Sequence, residues 1–381
     1  MAAEYYSEYG RREKPKRNPL MWLVDTALAF VTAAVAVTMA LTLLVPVVDP
    51  GRVWIFPVLG LAAPATYIAT VLLALYWIVR WRWGRAGLML VLVFAGCFKI
   101  SLFYRPEWRR VYGEEKYDRS AFKVMTYNVR CFFGKEGQSS VSDVVRFIRE
   151  TNADIVCLQE FNLRLAARDD SFEGLRDLYR DIRLFHADIA DSTYSEPMAI
   201  LSKYRILRSG EVSAAAAAVW ADLLIGEDTV RIFSNHLWST AINAADDEFI
   251  TRRGFLRDTA REEKMRSMFR RYGANCVIRA VQADSIAREI GATGTRRIVC
   301  GDFNDTPVSY VYRTMSRDLT DAFRKCGRGY SYTFLGFCNL LRIDYMFSSE
   351  GLEPLSYEVP DVDFSDHLPV VVRLRKTAIS D

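Results

Sequence analysis

RRIVCGDFNDTP, Arg296 to Pro307, leaves an apolar run and turns at once onto Asp302, Asn304 and Asp305. The β-branched and apolar residues of RRIVC predict a buried strand, and the Gly, Asn, Asp and Pro that follow predict the loop ending it. Alone, a G-D-x-N turn is an Asx-rich loop and nothing more. A functional reading needs acids, amides and histidines at other strand ends, and working outward from this stretch supplies them. FKVMTYNVRCF predicts a strand stopping at Asn128, DIVCLQE one stopping at Glu160, and TVRIFSNHLWS one stopping at His236. EPMAILSK is a strand that follows Glu196, LRIDYMFSS one that carries Asp344, and DFSDHLPVVVRL sets Asp366 and His367 just before the last strand.

Between the first two strands, VSDVVRFIRETNAD has apolar residues at helical spacing, with Ser142 or Asp143 as the cap. Strand-like runs alternating with helical stretches predict an α/β or α+β sandwich from Phe122 onward. Residues Ala241 to Ile290 are rich in Arg and Glu, and RAVQADSIAREI has helical periodicity, so one or two surface helices with solvated charges are expected there. Carboxylates and imidazoles beside core strands are costly unless paired or bound to a metal, and their recurrence at strand ends points to one shared site. Of the three histidines, His236 and His367 belong to this set. His186, inside RLFHADI, reads as a structural mid-strand residue.

The 381 residues leave room for a catalytic domain and a smaller module. Residues Met21 to Tyr104 are almost continuously apolar, and the rest is a soluble mixture of charge and hydrophobe. Met21–Val48, Val53–Val79 and Ala86–Tyr104 each have the length and apolarity of a membrane span, of which about 20 residues are needed. Arg11, Arg12, Lys14, Lys16 and Arg17 precede the first block, and Arg80, Arg82 and Arg85 lie between the second and third. The excess of basic residues there places the N-terminal tail, residues 1–20, and the second loop in the cytoplasm. Three spans then put the C-terminal domain outside the cytoplasm. Lys99 opposes insertion of the third block, and its failure to cross would leave the domain inside. A linker over 105–120 and a catalytic domain over 121–376 complete the organisation. Net charge of +4 does not single out a nucleic-acid binder. Seven cysteines show no paired metal-ligand spacing, and Cys157 and Cys300 read as small core residues.

The blocks TYNVR, CLQE, NHL, GDFND, RIDYMF and SDHLPV, in that order from about Lys123 to Arg375, resemble the endonuclease/exonuclease/phosphatase superfamily. The resemblance implies the DNase I-like fold, a four-layered α/β (α+β) sandwich of two mixed β-sheets flanked by helices. It implies a Mg²⁺-dependent phosphoesterase, with Mn²⁺ as the alternative ion. Glu160 is then the main metal ligand, with Asn128 and Asp366 close to it. His367 activates water and is oriented by Asp344, Asp302 and Asn304 position phosphate and nucleophile, and His236 stabilises phosphoryl oxygens with Glu196 as its partner. The implied substrate is a phosphodiester, first nucleic acid, with a lipid headgroup of the sphingomyelinase or phospholipase C kind, or an inositol phosphate, as the alternative. Glu160 is followed by FNLR without the T-K of the DNA-repair branch, and Asn162 stands where DNase I-like members have Arg. An inactive scaffold is disfavoured because Glu160, Asp302 and His367 are all present. The apolar helices make the membrane a partner, and no protein partner is implied.

Overall fold

The computed structural model describes residues 18–106, 120–134, 137–185, 197–212, 217–240 and 261–378. Four helices come first: α1 (Pro19–Leu44), α2 (Phe56–Leu61), α3 (Ala63–Val79) and α4 (Trp83–Ile100). The chain divides into one unit of Met1–Ala40 with Pro64–Phe94, and a second of Leu41–Ala63 with Ala95–Asp381. In the first unit Asp25 accepts hydrogen bonds from Arg80 at 2.8 Å and Tyr76 at 2.7 Å, and Trp77 donates to Thr32 at 2.7 Å. These bonds satisfy polar groups on helices whose outward residues, such as Phe30, Leu72 and Phe94, are apolar and exposed. Pro19–Val47 and Trp83–Ile100 are long and apolar enough to cross a membrane, while α3 has 17 residues.

The second apolar block does not run unbroken from Val53. Proline cannot continue a helix but fits its first turn, and Pro57 and Pro64 each open a new one, so α2 is a separate short helix and α3 begins at Ala63.

The second unit continues with β1 (Tyr104–Arg105), β2 (Phe122–Asn128), α5 (Val141–Thr151), β3 (Ile155–Gln159), α6 (Leu163–Ala166), α7 (Asp170–Glu173), β4 (Asp181–Phe185), β5 (Met198–Ser202) and β6 (Arg205–Glu211). Then come β7 (Ala218–Ile225), β8 (Asp228–His236), α8 (Arg261–Ala292), β9 (Arg296–Asp302), α9 (Tyr310–Met315), β10 (Thr320–Asp321), α10 (Ala322–Cys326), β11 (Gly329–Tyr330), β12 (Asp344–Ser348), β13 (Leu352–Glu358) and β14 (Val370–Lys376). One six-stranded sheet has the order β13-β14-β2-β3-β5-β4 and the other β10-β12-β9-β8-β7-β6. Each has a central parallel pair, β2 with β3 and β8 with β9, among antiparallel neighbours.

Alternation along the strands sends Val124, Cys157 and Ile200 from one sheet, and Ala221, Ile232 and Cys300 from the other, into one core between the sheets. A second core lies under α5, whose Val141, Val144, Val145 and Ile148 face the sheet. To bring Val141 onto that face the helix starts there, with Ser140 at the cap position and Asp143 in the first turn, paired to Arg146 at 2.6 Å. Helix α8 lies on the outer face of the other sheet, where Gln282 accepts a hydrogen bond from the Trp238 backbone and Arg297 donates to the Ile290 carbonyl. The layering is the four-layered sandwich expected. The expectation of merely solvated charges on α8 does not hold, because Arg279 is fully buried beside Asp305 on the face that also buries Tyr272, Cys276 and Ala283.

Candidate active site

Strand register decides which polar residues meet. On three adjacent strands His236 stands opposite Asp302, and Asp302 opposite Asp344. Neighbouring strands lie about 4.8 Å apart, so these three side chains share one rim. On the facing sheet the parallel pair ends with Asn128 opposite Gln159, and Glu160 follows. Gln159 ties the sheets together beneath the site, donating to Ser234 on β8 at 2.9 Å and to Thr126 on β2 at 3.1 Å.

Asp302 is the hub. Its Oδ2 accepts from Asn128 Nδ2 at 3.0 Å and from Asn304 Nδ2 at 3.1 Å, and it faces His367 Nε2 at 3.6 Å and His236 Nε2 at 3.8 Å. Its Oδ1 accepts from the Asn304 backbone at 2.8 Å, the Asx geometry of the GDFN turn. Glu160 Oε1 accepts from Asn128 at 2.9 Å and lies 3.5 Å from His236 Nε2. His367 Nδ1 is 3.0 Å from Asp344 Oδ2, and the Phe334 ring tilts against the imidazole at 5.2 Å. Asp366 is one-third exposed and faces Arg130 at 3.5 Å.

The backbone is held in costly shapes here. Glu160 and Asn304 have φ of 53° and 52°, a region non-glycine residues avoid. Gly301 has φ of +126°, and a Cβ there would fall 2.0 Å from the Asn235 carbonyl oxygen, so the close passage of β9 against β8 requires glycine.

The electrostatics follow from burial. Desolvation pushes the Asp302 carboxyl up to about 6, with the Asp344 charge adding to the rise and His367 opposing it. Burial also raises Glu160 against the Asn128 hydrogen bond, and lowers His236. For His367, burial disfavours the imidazolium, but Asp344 and Asp302 together outweigh it and hold the ring well above its ordinary range. Four carboxyl groups crowded at one rim, two of them raised, form a site short of positive charge.

A divalent cation fits these residues. The donors are hard oxygens, which suit Mg²⁺ or Mn²⁺. Beside the oxygens of Glu160, Asn128 and Asp366, the carboxylates of Asp302 and Asp344 crowd with His367 within 4.8 Å of one another, and the buried Asp344 Oδ1 has no hydrogen-bond partner among the described residues, a concentration of negative charge that a nearby cation would relieve.

Among the residues expected from sequence, Asn128, Glu160, His236, Asp302, Asn304, Asp344, Asp366 and His367 all come to this rim. Glu196 and His186 lie outside the described residues. Sequence reasoning missed Thr333, whose hydroxyl accepts the backbone N–H groups of Ile343 and Asp344 and fixes the start of β12. It missed Phe334 behind His367, and the Arg279–Asp305 pair under the turn. A Thr-Phe pair in a loop carries no pattern, and Arg279 looked like one more helix charge. It also missed Leu61, which lines the cavity of about 120 Å³ bounded by Glu160, Asp302, Asp366 and His367.

The profile of the Endonuclease/Exonuclease/phosphatase family matches residues 125–367. The chain belongs to that family. Its members are hydrolases that act on phosphoester bonds. A family described only as a domain of unknown function matches residues 25–103. No curated protein matches the chain. Among solved structures, the endonuclease/exonuclease/phosphatase from Bacteroides vulgatus is similar at 20% identity and a TM-score of 0.48, over 68% of this chain and 100% of that one. The human Nocturnin catalytic domain with bound sulfate is similar at 18% and 0.46, over 68% and 94%. Truncated Caenorhabditis elegans TDP2 is similar at 17% and 0.44, over 67% and 97%.

Proposed function

We propose that this family member is a divalent-metal-dependent phosphodiester hydrolase held to a membrane by its N-terminal helices. The observation that carries the reading is the convergence on Asp302 of two histidines and two amides, with an Asp344–His367 pair aimed at the same point. Phosphodiester cleavage needs an aligned water, relief of charge on the phosphoryl oxygens and help for the leaving oxygen.

Asp344 holds Nδ1 of His367, fixing the ring with Nε2 aimed at the water; the carboxylates that favour the imidazolium would be offset by a cation held among them, which would free Nε2 to take the water's proton. His236, near Glu160 and Asp302, presents Nε2 to a phosphoryl oxygen, and Glu196 is its proposed partner. Asn128 and Asn304 hold Asp302 in place, which aligns the phosphate and nucleophile. Glu160, with Asn128 and Asp366, would hold Mg²⁺ or Mn²⁺, which when bound neutralises charge on the phosphate. The polar N-terminal tail lies in the cytoplasm and three spans carry the catalytic domain to the other side, in keeping with the basic residues before α1 and between α3 and α4.

The test uses the purified full chain in detergent with bis(p-nitrophenyl) phosphate. Hydrolysis is expected with Mg²⁺ or Mn²⁺, lost in EDTA and restored by either ion. Full turnover in a rigorously metal-free preparation, or none with either ion, would sink the reading.

A further inference from the structure

We propose that the second unit holds a binding site for a small dianionic phosphomonoester, in the groove between α8 and α9 and away from the catalytic rim; the proposal stands independently of the phosphodiesterase reading.

The groove encloses about 720 Å³, a volume that suits a small organic ligand. Every residue lining it belongs to the second unit. Its two walls are built alike. Asp284, Ala287, Arg288 and Gly291 fall at i, i+3, i+4 and i+7 along α8, which makes them one stripe of that helix. Tyr310, Arg313, Thr314 and Arg317 repeat the spacing along α9 and the turn after it. The Tyr310 hydroxyl donates to Asp284 at 2.9 Å and ties the walls together at one end. Val47, half exposed, adds an apolar flank. That flank is fixed to the same unit: Val45 and Pro46 beside it are buried, and a Cβ on Gly60 would lie 3.1 Å from Val45 and 3.8 Å from Val308. The loop that follows reaches α8 as well, where a Cβ on Gly273 would lie 2.9 Å from the Trp54 ring.

Strand β9 separates this groove from the catalytic centre. Arg297 lines the groove, and Asp302 lies five residues farther along the same strand, about 16 Å at the extended rise per residue. The two are therefore separate sites.

Charge names the ligand class. Arg288, Arg297, Arg313 and Arg317 line the groove against Asp284 and Asp318, an excess of two positive charges. A phosphomonoester carries close to two negative charges at neutral pH. Two of the arginines are already oriented by the fold. Arg297 donates to the Ile290 and Thr293 carbonyls, which answers the C-terminal end of α8, and Arg288 donates to the Asp284 carbonyl and the Ser285 hydroxyl. The buried Nε of Arg297 has no partner among the described residues. Arg313 and Arg317 are exposed and make no side-chain hydrogen bond or ion pair with a described residue. Asp284 stands at the closed end, where the Asp49 charge also acts on Tyr310, so the guanidinium groups dominate the rest of the groove. A guanidinium offers paired N–H donors that match two phosphate oxygens, and the apolar flank gives the ester's organic body a surface to lie on.

The test is calorimetric titration of the full chain in detergent and EDTA with phenyl phosphate, and with benzoate as a singly charged control. Without a cation the catalytic rim is crowded with carboxylates and does not compete for an anion. Phenyl phosphate is expected to bind with a Kd below about 1 mM, and benzoate at least about tenfold more weakly. Arg313→Ser with Arg317→Ser should weaken phenyl phosphate binding by about tenfold or more, while Arg313→Lys alone should keep most of it. On the unaltered chain, phenyl phosphate should protect Arg313 and Arg317 from phenylglyoxal, read by peptide mass spectrometry. No binding by the unaltered chain, unchanged affinity in the doubly substituted chain, or protection confined to Arg130 at the catalytic rim would each overturn the proposal and leave the phosphodiesterase reading untouched.

Discussion

Four polar atoms converge on one oxygen of Asp302, and removing that charge has two separable effects. Asp302→Asn should cost about 10³-fold or more in turnover, because a preorganised charge at the reacting centre is lost. The same change should stabilise the metal-free protein. Its folded-state carboxyl sits at about 6, above its ordinary 3.8, so the folded protein binds the proton more tightly than the unfolded chain. This group therefore opposes folding at pH 7, and the penalty fades as pH falls through 6 toward 4. Thermal unfolding in EDTA should show a larger gain for Asp302→Asn at pH 7 than at pH 5, and an equal gain at both would contradict the burial argument. His367→Ala and Glu160→Gln should each lose several orders of magnitude of activity while keeping near-native unfolding midpoints; near-native turnover in His367→Ala would remove it as the base.

Elements differ in how openly their roles are written. Strand ends were legible because each chemical residue falls where an apolar run stops, and register then lines them up. Helix α8 was legible as a helix, but Arg279 was not legible as a core residue, since its partner Asp305 lies beyond the next strand. Arg279 donates to the Trp238 carbonyl at 3.0 Å and stands 3.6 Å from Asp305, with no exposure of its side chain. Arg279→Ala should destabilise the protein by about 3–5 kcal/mol in urea unfolding, because Asp305 stays buried beneath the GDFND turn without its charge partner. A loss under about 1 kcal/mol would show that the pair contributes little. Farther along the same outer face of the sheet, Asp222 on β7 lies between Arg208 on β6 and Arg231 on β8. Burial alone would raise its carboxyl, but the two guanidinium groups prevail and hold it below the ordinary value. Its stabilising contribution is thus present above pH 4 and is lost as pH falls through the lowered pKa. Asp222→Asn should lower the unfolding midpoint at pH 7 and converge on the unaltered protein in acid; a constant difference across that range would exclude the ion-pair account.

Across the whole molecule, the boundary between anchor and catalytic domain was the least legible feature. Val53 to Ala62 is as apolar as the helix after it, and composition does not distinguish an apolar surface facing lipid from one facing protein. Only the two prolines hinted at a break. A chain beginning at Ser120 uncovers Gly273 and Val308 and deprives Arg342 of the Leu102 carbonyl, and should melt several degrees below the full chain in the same detergent. Equal midpoints would mean that residues 45–62 rest on the domain without supporting it. The cysteines give this cohesion a clock. Cys157 and Cys300 lie between the sheets as free thiols, and burial pushes the Cys157 thiol well above its ordinary range. A thiol reagent attacks only the thiolate, so alkylation at these positions waits until the two sheets part. Their modification rate therefore counts openings of the sandwich, one molecule at a time.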